Sequence, residues 1–120
     1  MPKVPVDPRT VLAREMKEEG LGGLREAVEL LAHQLGYETR HIRDSRRQNV
    51  SDLPDLLLIK PPHKYWAELK RYGKNPTPGQ ATMIDALRLC GDTVFIWRPQ
   101  DLFSGEIHLI LAGLATSDVV

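Results

Sequence analysis

One cysteine, Cys90, is present in the 120 residues, so no disulfide can form within a chain and no thiolate cluster can hold a metal. Its helical spacing from Met83 and Leu87 predicts a buried, inert thiol. Formal net charge is zero, which argues against a strongly basic nucleic-acid binder. No apolar run approaches the roughly 20 residues of a membrane helix, and the opening MPKVPVDPRT has no signal-peptide core. A cytoplasmic protein with no membrane partner is expected. Repeats, low-complexity tracts and long linkers are missing as well, so a chain of this length reads as one domain. His33, His63 and His108 show no zinc-binding spacing, and no zinc is expected.

What is there is an ordinary globular mixture, 42% hydrophobic and 27% charged. The neutral average hides a gradient. Residues 1–39 carry five Lys/Arg against seven Asp/Glu, residues 40–74 nine against four, and residues 75–120 two against five. The positive centre is where a site handling polyanions would need its cations.

Asp7 and Pro8 read as an N-cap and first helical residue, opening a short helix that Gly20 would end. Leu24, Val28, Leu31 and Leu35 then recur at helical spacing up to Gly36. YETRHI, residues 37–42, alternates like an exposed or edge strand and leads into the basic loop RDSRRQNVSD. DLLLIK and YWAELK read as two strands joined by PPHK. In TPGQ, Thr77 and Gln80 have the spacing of a capping box, with Pro78 preset for the first turn. Met83, Ile84, Leu87 and Cys90 form that helix's apolar stripe, and Gly91 stops it. TVFIW is a short apolar strand ended by Pro99. EIHLILAGL is read as a closing helix rather than a strand. The order predicts an α/β sandwich around a mixed sheet.

With PPHK as a hairpin loop, Lys60 faces Tyr65, Leu57 faces Glu68 and Asp55 faces Lys70. Side chains alternate along a strand, so Asp55, Leu57, Trp66, Glu68 and Lys70 project from one face. Asp55 and Glu68 become diagonal neighbours, about 7 Å or less between Cβ atoms, close enough to reach one ion. Two carboxylates and a backbone carbonyl, that of Leu69, suit Mg²⁺ or Mn²⁺. Lys70 beside the ion would orient an attacking water and meet charge developing on a phosphate. The same spacing also fits a cross-strand ion pair worth under about 1 kcal/mol. Geometry alone leaves both readings open.

PDLLLI, AELKRYGKNPTPGQ and IDALRLCGDTVFIWRPQD together resemble the VRR-NUC family, a branch of the PD-(D/E)xK nucleases, over about residues 36–101. The resemblance implies a restriction-endonuclease-like three-layer fold, a central mixed sheet flanked by helices, with residues 1–20 as a helical extension and 21–120 as the nuclease core. It implies Asp55 and Glu68 as acidic metal ligands, Lys70 as the catalytic lysine, and Gln80 as the family's glutamine at the following helix start. Related enzymes add a glutamate from the first core helix. Of Glu18, Glu19, Glu26 and Glu29, Glu26 is chosen. The family commonly has glycine three positions before the motif aspartate, where this chain has Asp52, a further oxygen donor.

His41, Arg43, Arg46, Arg47, Arg71 and Lys74 flank the expected site and are its candidate DNA contacts. Trp66 shares its face, where an aromatic either packs on the sheet, the commoner case, or stacks on a base, and Trp97 is assigned to packing. The resulting expectation is a metal-dependent endonuclease acting on branched DNA, four-way junctions included, as a homodimer. The alternative from another class is a non-catalytic DNA-binding or assembly module.

Overall fold

The computed structural model describes residues 7–42 and 52–114. Helix α1, Pro8–Glu15, starts as its sequence predicts: the Asp7 carboxylate accepts from the Arg9 amide at 2.8 Å, and Pro8 occupies the first turn. It stops at Glu15 rather than running to Gly20, because Met16 is extended. The carbonyls of Lys17 and Glu18 turn back to accept from the amides of Leu24 and Arg25. They satisfy the start of α2, Leu24–Gln34, whose N-cap Gly23 has no side chain to do so.

Strands β1 (Glu38–His41), β2 (Leu56–Lys60) and β3 (His63–Leu69) form an antiparallel meander. Helix α3, Pro78–Leu89, then crosses over to β4, Thr93–Trp97, which runs parallel to β3. The four-stranded sheet is therefore mixed, in the order β1-β2-β3-β4. The compact mixed α/β domain expected from the sequence is present.

Two further helices follow, α4 (Pro99–Phe103) and α5 (Glu106–Leu111). The closing segment is helical, as expected. Helix α4 adds to the expected order, in which Pro99 only ends a strand. Pro99 also opens a helix, and Asp101 closes its start by accepting from the Arg98 amide at 2.8 Å.

One sheet face carries Leu56, Leu58, Ala67, Leu69 and Trp97 into a core with Leu24, Val28 and Ala32 of α2 and Ile107 and Leu111 of α5. Trp97 is buried and stacks on Phe95, so its assignment to packing holds. The other face is covered where α3 crosses β4, with Ile84 and Val94 both buried. Helix α1 packs on α4 and buries Ala13. Among the described residues no helix is long and apolar enough to cross a membrane.

Cys90 corrects the sequence reading. It caps the C-terminus of α3 and is exposed, as is its neighbour Leu89 at 89%. The apolar stripe is buried at Ile84 and only partly at Met83 and Leu87, so burial fades toward the last turn of α3, where Arg88 Nη2 donates to the Val94 carbonyl of β4 at 2.7 Å.

Candidate active site

The β2–β3 register differs from the expected one by two residues. Leu57 pairs with Trp66 and Lys60 with His63, which leaves Pro61–Pro62 alone as the hairpin loop. Neither proline has an amide to donate to the ladder, whereas His63 does. A slip of two preserves which face each side chain occupies. Continued past Leu56↔Ala67, the register sets Asp55 opposite Glu68 instead of Lys70. The two carboxylates are thus direct neighbours rather than diagonal ones.

Every element end around them meets at the same edge. Glu68 and Lys70 stand at the carboxyl end of β3, the position where ligands bind in open α/β sheets. The Ile42 amide donates to the Asp55 carbonyl at 2.8 Å, anchoring the end of β1 there. The Asp55 Oδ2 accepts from the Leu69 amide at 2.7 Å. Within an extended strand a residue's N–H and C=O point to one side, so the Leu69 carbonyl is directed toward Asp55 as well. The Lys70 amide points the other way, to the Trp97 carbonyl at 3.0 Å.

Glu68 is the one charged residue counted in the buried core of the described residues, at 0% exposure. As a carboxylate it finds no hydrogen-bond donor for either oxygen among the described residues. Burial drives its pKa up to about 9; hydrogen bonding to Asp55, the Asp55 charge and the Glu18 charge push the same way, and Lys70 pulls it down. Two adjacent carboxylates can share a hydrogen bond only if one holds a proton. The pair therefore needs either a proton or a cation between its oxygens.

Glu18, and not Glu26, is the glutamate whose charge reaches Glu68. Its Oε2 accepts from the Arg71 amide at 2.9 Å, one residue past Lys70. Glu26 accepts from the Gly22 amide at 3.1 Å at the start of its own helix. Arg25 binds Glu19 and also Glu29, the latter at 2.6 Å, and His41 approaches Glu19 at 3.5 Å. The family resemblance points to a glutamate of the first core helix, and Glu26 is the choice among four candidates. The useful signal was the short helix-to-helix connection, which folds Glu18 back toward the sheet.

The capping box at α3 is formed. The Gln80 amide donates to Thr77 Oγ1 at 3.2 Å, and Gln80 Oε1 accepts from the Thr77 amide at 2.9 Å. Gln80 Oε1 is thereby committed to the cap. Asp52 lies over the same helix start: a methyl group on Gly79 would come within 2.8 Å of Asp52 Oδ2. A side chain at 79 would make the Asp52 carboxylate swing aside.

Arg98 holds the connection from Lys70 to α3, donating from Nε to the Lys74 carbonyl and from Nη2 to Asn75 Oδ1, both at 2.9 Å. Sequence reading gave Arg98 no role. Arg71 and Lys74 are exposed on this connection, where the Lys74 amide donates to the Arg71 carbonyl at 3.0 Å. Gly73 sits in that turn at φ +75°, a conformation costly for other residues. Trp66 shares the sheet face with Glu68, but its indole N–H donates to Asp92 Oδ2 at 2.9 Å. Arg43, Arg46 and Arg47 lie outside the described residues.

The donors that converge, Asp55, Glu68 and the Leu69 carbonyl, are all oxygen, the set preferred by hard divalent cations. Among the described residues no three His, Cys, Asp or Glu side chains together form a metal-binding group, so most ligands of such an ion would be water or substrate oxygens. That suits Mg²⁺, which keeps its waters, and the orphaned Glu68 oxygens fit a cation. Comparison of the chain with protein families, curated proteins and solved structures finds no match.

Proposed function

We propose that this protein is a divalent-metal-dependent endonuclease that hydrolyses phosphodiester bonds in DNA, on a restriction-endonuclease-like variant of the mixed α/β fold. The observation that supports it best is Glu68: a fully buried carboxylate, both oxygens without a donor, directly beside Asp55 and within the field of Lys70. Mg²⁺ or Mn²⁺ held by Asp55, Glu68 and the Leu69 carbonyl would supply Lewis acidity to the scissile phosphate and an attacking water.

The chain's own groups do the rest. Lys70 follows Glu68 by two residues, so its ammonium shares the face of the carboxylates and meets negative charge on the phosphate while orienting the water. Asp55 is fixed through the Leu69 amide and so keeps one geometry. Gln80 and Thr77 set the start of α3, and Arg71 and Lys74 offer exposed cations to flanking phosphates. No base-reading helix is apparent among the described residues, and selectivity is proposed to rest on DNA shape, with branched substrates favoured. A homodimer would present two such sites to the two strands of a four-way junction.

Labelled linear, flap, fork and four-way DNA, incubated with Mg²⁺, Mn²⁺ or EDTA, test this directly. Cutting is expected with either metal, none in EDTA, and a loss of about 100-fold or more in Lys70→Ala with DNA binding retained. If wild type and Lys70→Ala bind equally and neither cuts any substrate with metal, the protein is a binding module instead.

A further inference from the structure

A cavity of about 330 Å³ opens between α1, α4 and the turn that follows Lys70. Tyr72 and Phe103 contribute aromatic rings, Gln100 an amide, Thr10 a hydroxyl and Arg9 a guanidinium. The volume is at the small end for a ligand pocket, enough for one planar heterocycle and its sugar but not a base pair. Tyr72 is 38% exposed, and the Arg14 guanidinium lies 5.5 Å from its ring centroid, bracing it.

The lining chemistry selects among occupants. Arg9 is the cation among the lining residues, but it is paired with Asp7 at 3.0 Å and hydrogen-bonded to it, and Arg14 lies against the Tyr72 ring without lining the cavity, so the lining is close to neutral. A neutral lining does not capture a phosphate or another anion. Aromatic faces with an amide and a hydroxyl suit a nucleobase, which stacks on any π-surface and offers donors and acceptors at its edge. Position points the same way. Tyr72 is two residues beyond Lys70, a separation of about 7 Å at most between Cα atoms. That spans roughly two nucleotides of a stacked strand.

We infer that this cavity receives one unpaired base of bound DNA beside the proposed cleavage site. The inference rests on the nuclease reading for the position of the DNA. It gives the structure selectivity a physical origin: a flap, fork or open junction supplies an unstacked base at the branch, whereas an intact duplex must first be unpaired.

The test uses a forked oligonucleotide with 2-aminopurine at its first unpaired position, and a fully paired duplex of the same length, titrated in EDTA with the Lys70→Ala protein. Binding of the fork is expected to quench the fluorophore. Adding Tyr72→Ala should weaken fork binding at least fivefold and remove the quench, with duplex binding unchanged, while Tyr72→Phe preserves both. Absence of quenching with Tyr72 intact overturns the inference whatever the variants do. Equal losses on fork and duplex also overturn it. Cutting of the same forks with Mn²⁺ is scored separately: quenching without cutting defeats the nuclease reading alone, and cutting without quenching defeats the base pocket alone.

Discussion

A buried carboxylate whose oxygens lack donors costs several kcal/mol unless it is neutralised, and Glu68 is neutralised in the metal-free protein by keeping its proton. The consequence is a pH-dependent stability with a definite sign. Glu68 titrates near 4.5 when unfolded and at about 9 when folded. Below pH 4.5 both states hold the proton, and above 9 neither does. Between them only the folded state does, so stability falls as pH rises, by up to about 1.4 kcal/mol per pH unit. In urea unfolding with EDTA, Glu68→Gln should therefore exceed the wild type in stability at pH 8 and lose less stability between pH 6 and 8. Identical slopes for the two proteins would show that Glu68 is not the titrating group.

Part of this was legible in the residues and part was not. PDLLLI and AELK single out Asp55, Glu68 and Lys70 as charges within apolar strands, with an ion pair left open beside a metal site; that Glu68 is fully buried next to Asp55 could not be read from the pattern. Nothing in the spacing distinguished Glu18 from Glu26, because the choice depends on how the chain between α1 and α2 folds back. The exposure of Cys90 was hidden for a similar reason: helical periodicity tells which side a residue is on, but not how far along the helix burial extends.

At the scale of elements, α3 is the clearest case of local sequence fixing local structure. Thr77, Pro78 and Gln80 form the expected start, and Gly91 follows the expected end. Removing the side-chain cap with Thr77→Ala should cost about 1 kcal/mol in denaturant unfolding, and an unchanged midpoint would mean that the hydrogen bond from the Gln80 amide to Thr77 Oγ1 is not maintained in solution. The hairpin was less legible. Loop length is a choice between PP and PPHK that strand patterning leaves open, since registers two apart expose the same faces. The paired faces were therefore correct and the facing partners were not. Helix α4 escaped notice because five residues are too few to show a helical period.

Across the whole molecule, the proposed DNA binding would draw on a basic middle segment within a chain of neutral net charge. Affinity should come from a few phosphate contacts and fall with salt. Arg71→Ala and Lys74→Ala are each expected to lower the slope of log K against log salt concentration by about 0.9, for every DNA shape alike. A slope that is unchanged would place both side chains away from the phosphates.

If the Asp55–Glu68 pair holds a divalent cation, as proposed, calorimetric titration with Mn²⁺ at pH 7–8 in buffers of different ionisation enthalpy should register it. One site is predicted, with release of about one proton per ion as Glu68 gives up its hydrogen, and with both signals lost in Glu68→Gln. Binding that survives Glu68→Gln unchanged, or no binding by the wild type, would contradict it.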